Sequence, residues 1–238
     1  MHHNLELTLE IAFNSRWHMG SGEGNIITDR LIQRDACNMP CIPGSTLKGV
    51  IREACEKLSR TLGFPEPSDP HGIDLSFPGA FAPLSRAPSP VDRLFGNRFE
   101  EGGIFFRNAR PMDGLHNSFF PQTRVRMNRK LGTARDRHLF STEYGVAMKF
   151  ETTVSAHHTN LAVFEEVDPP YAYCLLVAAI GLVGRLGGDK STGAGRIPDN
   201  IVITQMIYND QTMDVDTYLR EKASFYLDGS DYQEMRIP

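Results

Sequence analysis

The chain has 238 residues, 40% hydrophobic and 23% charged, with a formal net charge of −4 and a pI of about 6.1. That suits one large domain with a real core, and it excludes a protein drawn to nucleic acid by overall charge; any RNA contact must come from a local patch. No apolar run approaches the length of a membrane-spanning helix and the N-terminus lacks a charged-then-apolar leader, so no membrane partner is expected and a cytoplasmic location is.

In chain order, residues 5–13 alternate apolar and polar, which predicts a half-buried first strand. Residues 14–25 carry Gly20, Gly22 and Gly24, a loop that could approach phosphates closely but lacks the spacing and Lys of a nucleotide-binding P-loop. His18 lies in this loop and on its own reads as a solvated or structural imidazole. Asp29 follows in a polar segment, Asp29-Arg30-Leu31-Ile32-Gln33-Arg34-Asp35, where an isolated Asp reads as a turn or cap residue. Cys37 and Cys41 flank Pro40 in a turn. They could supply two zinc ligands, completed by His71, His157 or His158, but no second Cys pair has ligand spacing. Neither zinc nor a disulfide is expected, and Cys55 and Cys174 fall in apolar helical patterns as core thiols.

Pro43 and Gly44 stop a strand-like run, and Ser45 is placed to cap a helix to about Leu62. Leu47, Val50, Ile51, Ala54, Cys55, Leu58 and Leu62 form its apolar stripe. Lys48 and Arg52, four apart near the helix start, make a plausible phosphate seat, or simply a solvated face. Residues 63–93 are rich in Pro, Ser and Gly and read as an irregular excursion within one domain. A strand is predicted at 103–109. Residues 123–140 then hold Arg124, Arg126, Arg129, Lys130, Arg135 and Arg137, offset only by Asp136 and interleaved with Val125, Met127, Leu131, Leu139 and Phe140. With a turn at 130–133, this reads as an extended basic hairpin, able to meet phosphates and bases or to stand as a solvated loop. A third strand at 145–156, an apolar helix from 171 to about 186 stopped by Gly187-Gly188, a fourth strand around 201–203 and a terminal helix at 214–226 complete the order. Strand, helix, strand, strand, helix, strand predicts an α+β, ferredoxin-like βαββαβ core. A single domain spans 1–238, with insertions at about 14–44, 63–102 and 111–144. No aromatic RNP sequence supports base stacking on the sheet face.

Three segments in order carry a resemblance. Ile42-Pro43-Gly44-Ser45-Thr46-Leu47-Lys48-Gly49-Val50-Ile51-Arg52-Glu53 resembles the Pro-Gly-Ser-Ser/Thr-Leu-Lys-Gly-x-x-Arg signature of the RAMP superfamily of CRISPR systems. Gly187-Gly188-Asp189-Lys190-Ser191-Thr192-Gly193-Ala194-Gly195-Arg196 resembles that family's C-terminal glycine-rich loop. The Asp29–Asp35 segment resembles the one carrying the catalytic Asp in the repeated backbone subunit of type III effector complexes. In addition, Leu94-Phe95-Gly96 resembles the Leu-Phe-Gly that precedes the second strand in the same family.

The resemblance implies a modified RNA-recognition fold with a "thumb" hairpin at 123–140 that kinks a guide–target duplex. It implies Asp29 as the catalytic residue of Mg²⁺- or Mn²⁺-dependent cleavage of target single-stranded RNA, with the metal held mainly by RNA and water. It also implies RNA contacts from His18, Arg34, Ser45, Lys48, Arg52, the six hairpin cations, Gly188, Lys190 and Ser191. The partners implied are CRISPR guide RNA, target RNA and other effector-complex subunits, including copies of related RAMP proteins. Arg30 and Leu31 depart from the smaller residues expected beside the Asp. Other branches are non-catalytic structural subunits, or process CRISPR precursor RNA with a His, for which His18 is the candidate with no Tyr or Lys placed beside it.

Overall fold

The computed structural model describes residues 2–68, 89–97, 100–112, 119–128, 130–159, 161 and 170–222. The alternation read in the first strand is present in β1 (His3–Ala12): Leu5, Leu7, Leu9 and Ile11 are buried, while Asn4, Glu6, Thr8 and Glu10 face outward. Its inner face is covered by α1 (Gly44–Thr61), whose buried Leu47, Ile51, Cys55 and Ser59 recur every four residues. A short helix, α2 (Pro90–Phe95), is capped by Ser89, whose side chain accepts from the Asp92 N–H. β2 (Ile104–Phe106) and β3 (Arg110–Pro111) follow, both paired antiparallel with the later β6.

The chain then leaves this sheet as a two-stranded ribbon, β4 (Phe119–Asn128) and β5 (Thr133–Gly145). It returns as β6 (Lys149–His158), continues through α3 (Tyr171–Ile180), and ends in β7 (Val202–Tyr208), β8 (Gln211–Met213) and α4 (Val215–Glu221). The main sheet runs β2-β6-β1-β7-β8 with every neighbouring pair antiparallel. The molecule is thus a mixed α/β structure with antiparallel sheets. Its core lies between the inner face of this sheet and α1, α2 and α3. The outer face carries Glu6, Glu10, Glu151 and Lys149, with exposed Phe105 of β2 6.5 Å from the His157 ring towards one edge.

Several predicted boundaries need correction. The second apolar helix ends at Ile180, with Gly181 as its cap, not at Leu186. Residues 183–186 instead pair with 195–201: Ile201 N–H donates to Val183 O at 3.1 Å and Leu186 N–H to Gly195 O at 2.9 Å. Long-range pairing takes over where the glycines make helix expensive. The third strand begins at Lys149, because Gly145 belongs to β5. β8 was not predicted; Asn209 and Asp210 both have positive φ, a turn that suits a tight hairpin after β7. The bulk of the Pro-rich excursion (69–88), and the chain beyond 222, lie outside the described residues.

Candidate nucleic-acid interface

The hairpin is basic at its tip and fastened at its base. Strand pairing runs from Phe119↔Gly145 to Asn128↔Thr133, so the turn read at 130–133 is present at 130–132, with Thr133 already in β5. Towards the tip, Arg126, Lys130 and Arg135 are exposed, as are Met127, Leu131 and Leu139. Val125, Arg126, His138, Leu139 and Phe140 line an open hollow on its flank. Arg129 and the side chain of Arg137 lie outside the described residues. At the base, Ser141, Thr142 and Tyr144 are buried. Gly145 is required there: a Cβ would lie 2.2 Å from the Trp17 ring, whose backbone N–H donates to Gly145 O at 3.0 Å.

Asp29 sits against this base. The sequence reading made it a turn or cap residue of a polar segment; the structure runs that segment alongside β5, with a parallel bridge between Arg30 and Thr142. Asp29 is exposed, yet its Oδ2 accepts from the Ser141 N–H at 2.7 Å, while the Ser141 hydroxyl donates to Ile27 O at 2.8 Å. Its own N–H donates to Ser141 O at 3.1 Å. Two residues along β5, Glu143 accepts from the Ile32 N–H at 3.0 Å and from Arg34 Nη2 at 2.7 Å. Arg34, expected at the RNA, is therefore half of an internal ion pair and lies 4.7 Å over the Phe119 ring.

The glycine-rich loop closes the other side. Asp189, in the left-handed region at φ 57°, accepts from the Tyr144 hydroxyl and pairs with Arg124 at 3.4 Å and Arg30 at 3.6 Å. Burial opposes its charge, but the Tyr144 hydrogen bond and the Arg124 and Arg30 guanidiniums outweigh it and hold the carboxyl below the usual range. Burial, and then the bond to Asp189, push the Tyr144 hydroxyl up, consistent with its role as donor. Arg16 and Arg124 both lie over the Tyr144 ring, at 5.1 and 5.4 Å. Gly188 N–H donates to His18 O, while Lys190 opens a 3₁₀ turn and Ser191 is exposed.

His18 is not solvated. It is 1% exposed, with Nδ1 2.8 Å from Glu143 O, and burial lowers its pKa. A Tyr does stand beside it, contrary to the sequence reading: the Tyr144 ring centroid is 5.9 Å away.

The α1 terminus is arranged differently from expectation. The helix starts at Gly44, so Pro43 occupies the cap position, and exposed Ser45 lies within the first turn with no capping bond. Asn108 caps instead, its Oδ1 accepting from the Gly44 N–H at 2.9 Å. Gly44 is needed for this approach, since a Cβ would lie 2.2 Å from Phe106 O. Lys48 is half-buried. Arg52 is committed inward: Nε bonds Glu56 at 2.9 Å, and the guanidinium also donates to Gly96 O and Ser68 O and lies 5.9 Å over the Phe95 ring. A shared phosphate seat with Lys48 would have to dismantle those contacts.

Glu143, Tyr144, Asp189, Arg16 and Arg30 form the centre of this arrangement, and the sequence reading singled out none of them as site residues. An acid inside a glycine-rich loop was the available signal for Asp189. Cys37 is exposed and Cys41 buried. Among the described residues, no group of three or more His, Cys, Asp or Glu is placed to hold a metal ion. Asp29, with one oxygen engaged by Ser141, fits a divalent metal only as a single ligand beside water and RNA. No helix among the described residues is long and apolar enough to cross a membrane.

The sequence model of the RAMP superfamily matches residues 10–197, and the chain belongs to that family. Membership suggests a CRISPR-associated RNA-binding subunit. A comparison with curated proteins finds no match.

Proposed function

We propose that the chain is a guide-RNA-binding backbone subunit of a type III CRISPR effector complex, cleaving complementary target RNA at regular intervals with Asp29. The strand order β2-β6-β1-β7, with α1 and α3 on one face, is in this reading a ferredoxin-like core from which β4–β5 projects as the thumb. The observation that carries the proposal is the fastening of Asp29 to Ser141 at the hairpin base. A duplex opened by the hairpin would then present its distorted backbone next to the carboxylate.

The exposed cations Arg126, Lys130 and Arg135 would neutralise flanking phosphates, and Leu131 and Leu139 would occupy the space of a displaced base. A splayed nucleotide brings its 2′-hydroxyl into line with the scissile phosphorus. Asp29 is exposed and so able to take that proton or to hold one position of a bound Mg²⁺ or Mn²⁺. The metal, when bound, offsets negative charge on the phosphate. The imidazole of His18, only 1% exposed, is closed off from an RNA backbone and does not favour precursor processing.

Purification with associated RNA, followed by incubation with complementary RNA with and without Mg²⁺, tests the proposal. Metal-dependent cuts at a constant spacing are expected. Bound guide RNA with no cutting under either condition would leave a structural RAMP subunit.

A further inference from the structure

We infer that Glu143 is the positioning residue for Asp29: it fixes the Asp29 segment to the hairpin so that acid and thumb move as one body. The inference rests on the reading of Asp29 as the catalytic residue.

Glu143 binds the segment at three successive alternate positions. Its backbone N–H donates to Arg30 O at 2.9 Å. Its side chain accepts from the Ile32 N–H at 3.0 Å through Oε2 and from Arg34 Nη2 at 2.7 Å through Oε1. Its carbonyl also meets His18 Nδ1 at 2.8 Å, which ties the preceding loop to the same residue. The Arg34 side chain in turn lies over Phe119 of β4, so both hairpin strands share the connection.

The need for such an anchor follows from what precedes Asp29. Ile26 and Ile27 leave their side chains in solvent, so on that side the segment is held through Thr28, which is 6% exposed, and by the Ser141 hydroxyl donating to Ile27 O at 2.8 Å. On the other side Ile32 is 2% exposed and cannot shift freely. Between these ends, Ser141 holds Asp29 itself, and Glu143 holds the next residues. The Glu143 side chain is 15% exposed and that of Arg34 28% exposed, so water screens the pair only partly. Removing the carboxylate leaves the Ile32 N–H and Arg34 without their acceptor. The backbone bonds at Asp29 and Arg30 remain, but the segment loses its tie at Ile32 and Arg34 and can loosen against β5 while the hairpin, paired along its length, stays in place.

The test uses the full chain with its guide RNA, carrying Glu143→Ala, Glu143→Gln or Asp29→Ala. Glu143→Ala should lower the cleavage rate at saturating target about 100-fold, the loss that a misplacement of about 1 Å produces, with target affinity unchanged. Glu143→Gln keeps an acceptor for the Ile32 N–H and should recover part of the rate. Hydrogen exchange at the Ile32 amide should accelerate in Glu143→Ala and less in Glu143→Gln. A residue that serves only stability would lower the melting temperature and leave the per-molecule rate intact, which would overturn the inference. Should Glu143→Ala fail to fold, Glu143→Gln carries the same comparison. Wild-type cleavage by Glu143→Ala beside an inactive Asp29→Ala would overturn the inference alone. Wild-type cleavage by Asp29→Ala would overturn the Asp29 reading and the inference together.

Discussion

Asp29 offers one carboxylate oxygen to Ser141 while the residue stays open to solvent, so it is both located and accessible. Arg52 shows the opposite outcome: a cation of the signature helix turned inward onto Glu56, Gly96 and Ser68. Single residues also set how the protein responds to acid. Burial, offset in part by the nearby backbone of Leu94 and Arg93, lowers the pKa of His158, and burial likewise lowers those of His3 and His18. A His held neutral in the native state takes up its proton later than in the unfolded chain as pH falls. Its stabilising effect is therefore complete above the ordinary value of 6.5 and is lost progressively below it. The melting temperature should fall as the pH drops from about 7 to about 5. His158→Gln, which keeps a donor for the Tyr173 hydroxyl 2.9 Å from Nδ1, should flatten that dependence in thermal melts at a series of pH values. An unchanged slope in the variant would assign the acid sensitivity to other groups.

At the scale of elements, legibility followed locality. β1 and α1 carry periods of two and of three to four in the sequence, and both elements are present where those periods place them. The hairpin turn was legible because Lys130-Leu131-Gly132-Thr133 breaks two basic, partly apolar runs. The end of α3 was not, because Leu182, Val183 and Leu186 continue the apolar pattern while the backbone of residues 183–186 pairs with residues 195–201. The junction of Glu143, Tyr144 and Asp189 with Arg16, Arg30 and Arg34 had no local signal beyond the acid inside the glycine-rich loop. It joins groups distant in the chain, 109 residues apart for Arg34 and Glu143, and each contact depends on the final packing. The hairpin divides into a buried base and an exposed tip, so the tip is separable. Removing residues 129–137 and closing with glycines should leave the melting temperature within a few degrees, since no core side chain among the described residues is lost. Target cleavage should weaken or lose its regular spacing. The same cuts at the same positions would show that the hairpin is not a thumb.

The whole molecule separates its charges. A net charge of −4 coexists with an outer sheet face bearing Glu6, Glu10 and Glu151 and a hairpin tip bearing Arg126, Lys130 and Arg135. In the proposed reading, this distribution would direct RNA to the hairpin and away from the open sheet. It also places an exposed acid, Asp29, at the hairpin base, where RNA gripped by the tip would pass. Membership of the RAMP superfamily, matched over residues 10–197, agrees with a role in RNA binding. The most direct measurement is cleavage of complementary RNA by guide-loaded Asp29→Ala in Mg²⁺, with target binding followed by gel shift in parallel. The variant is expected to bind target as the wild type does and to make no cut; full cleavage by the variant would contradict the assignment of Asp29.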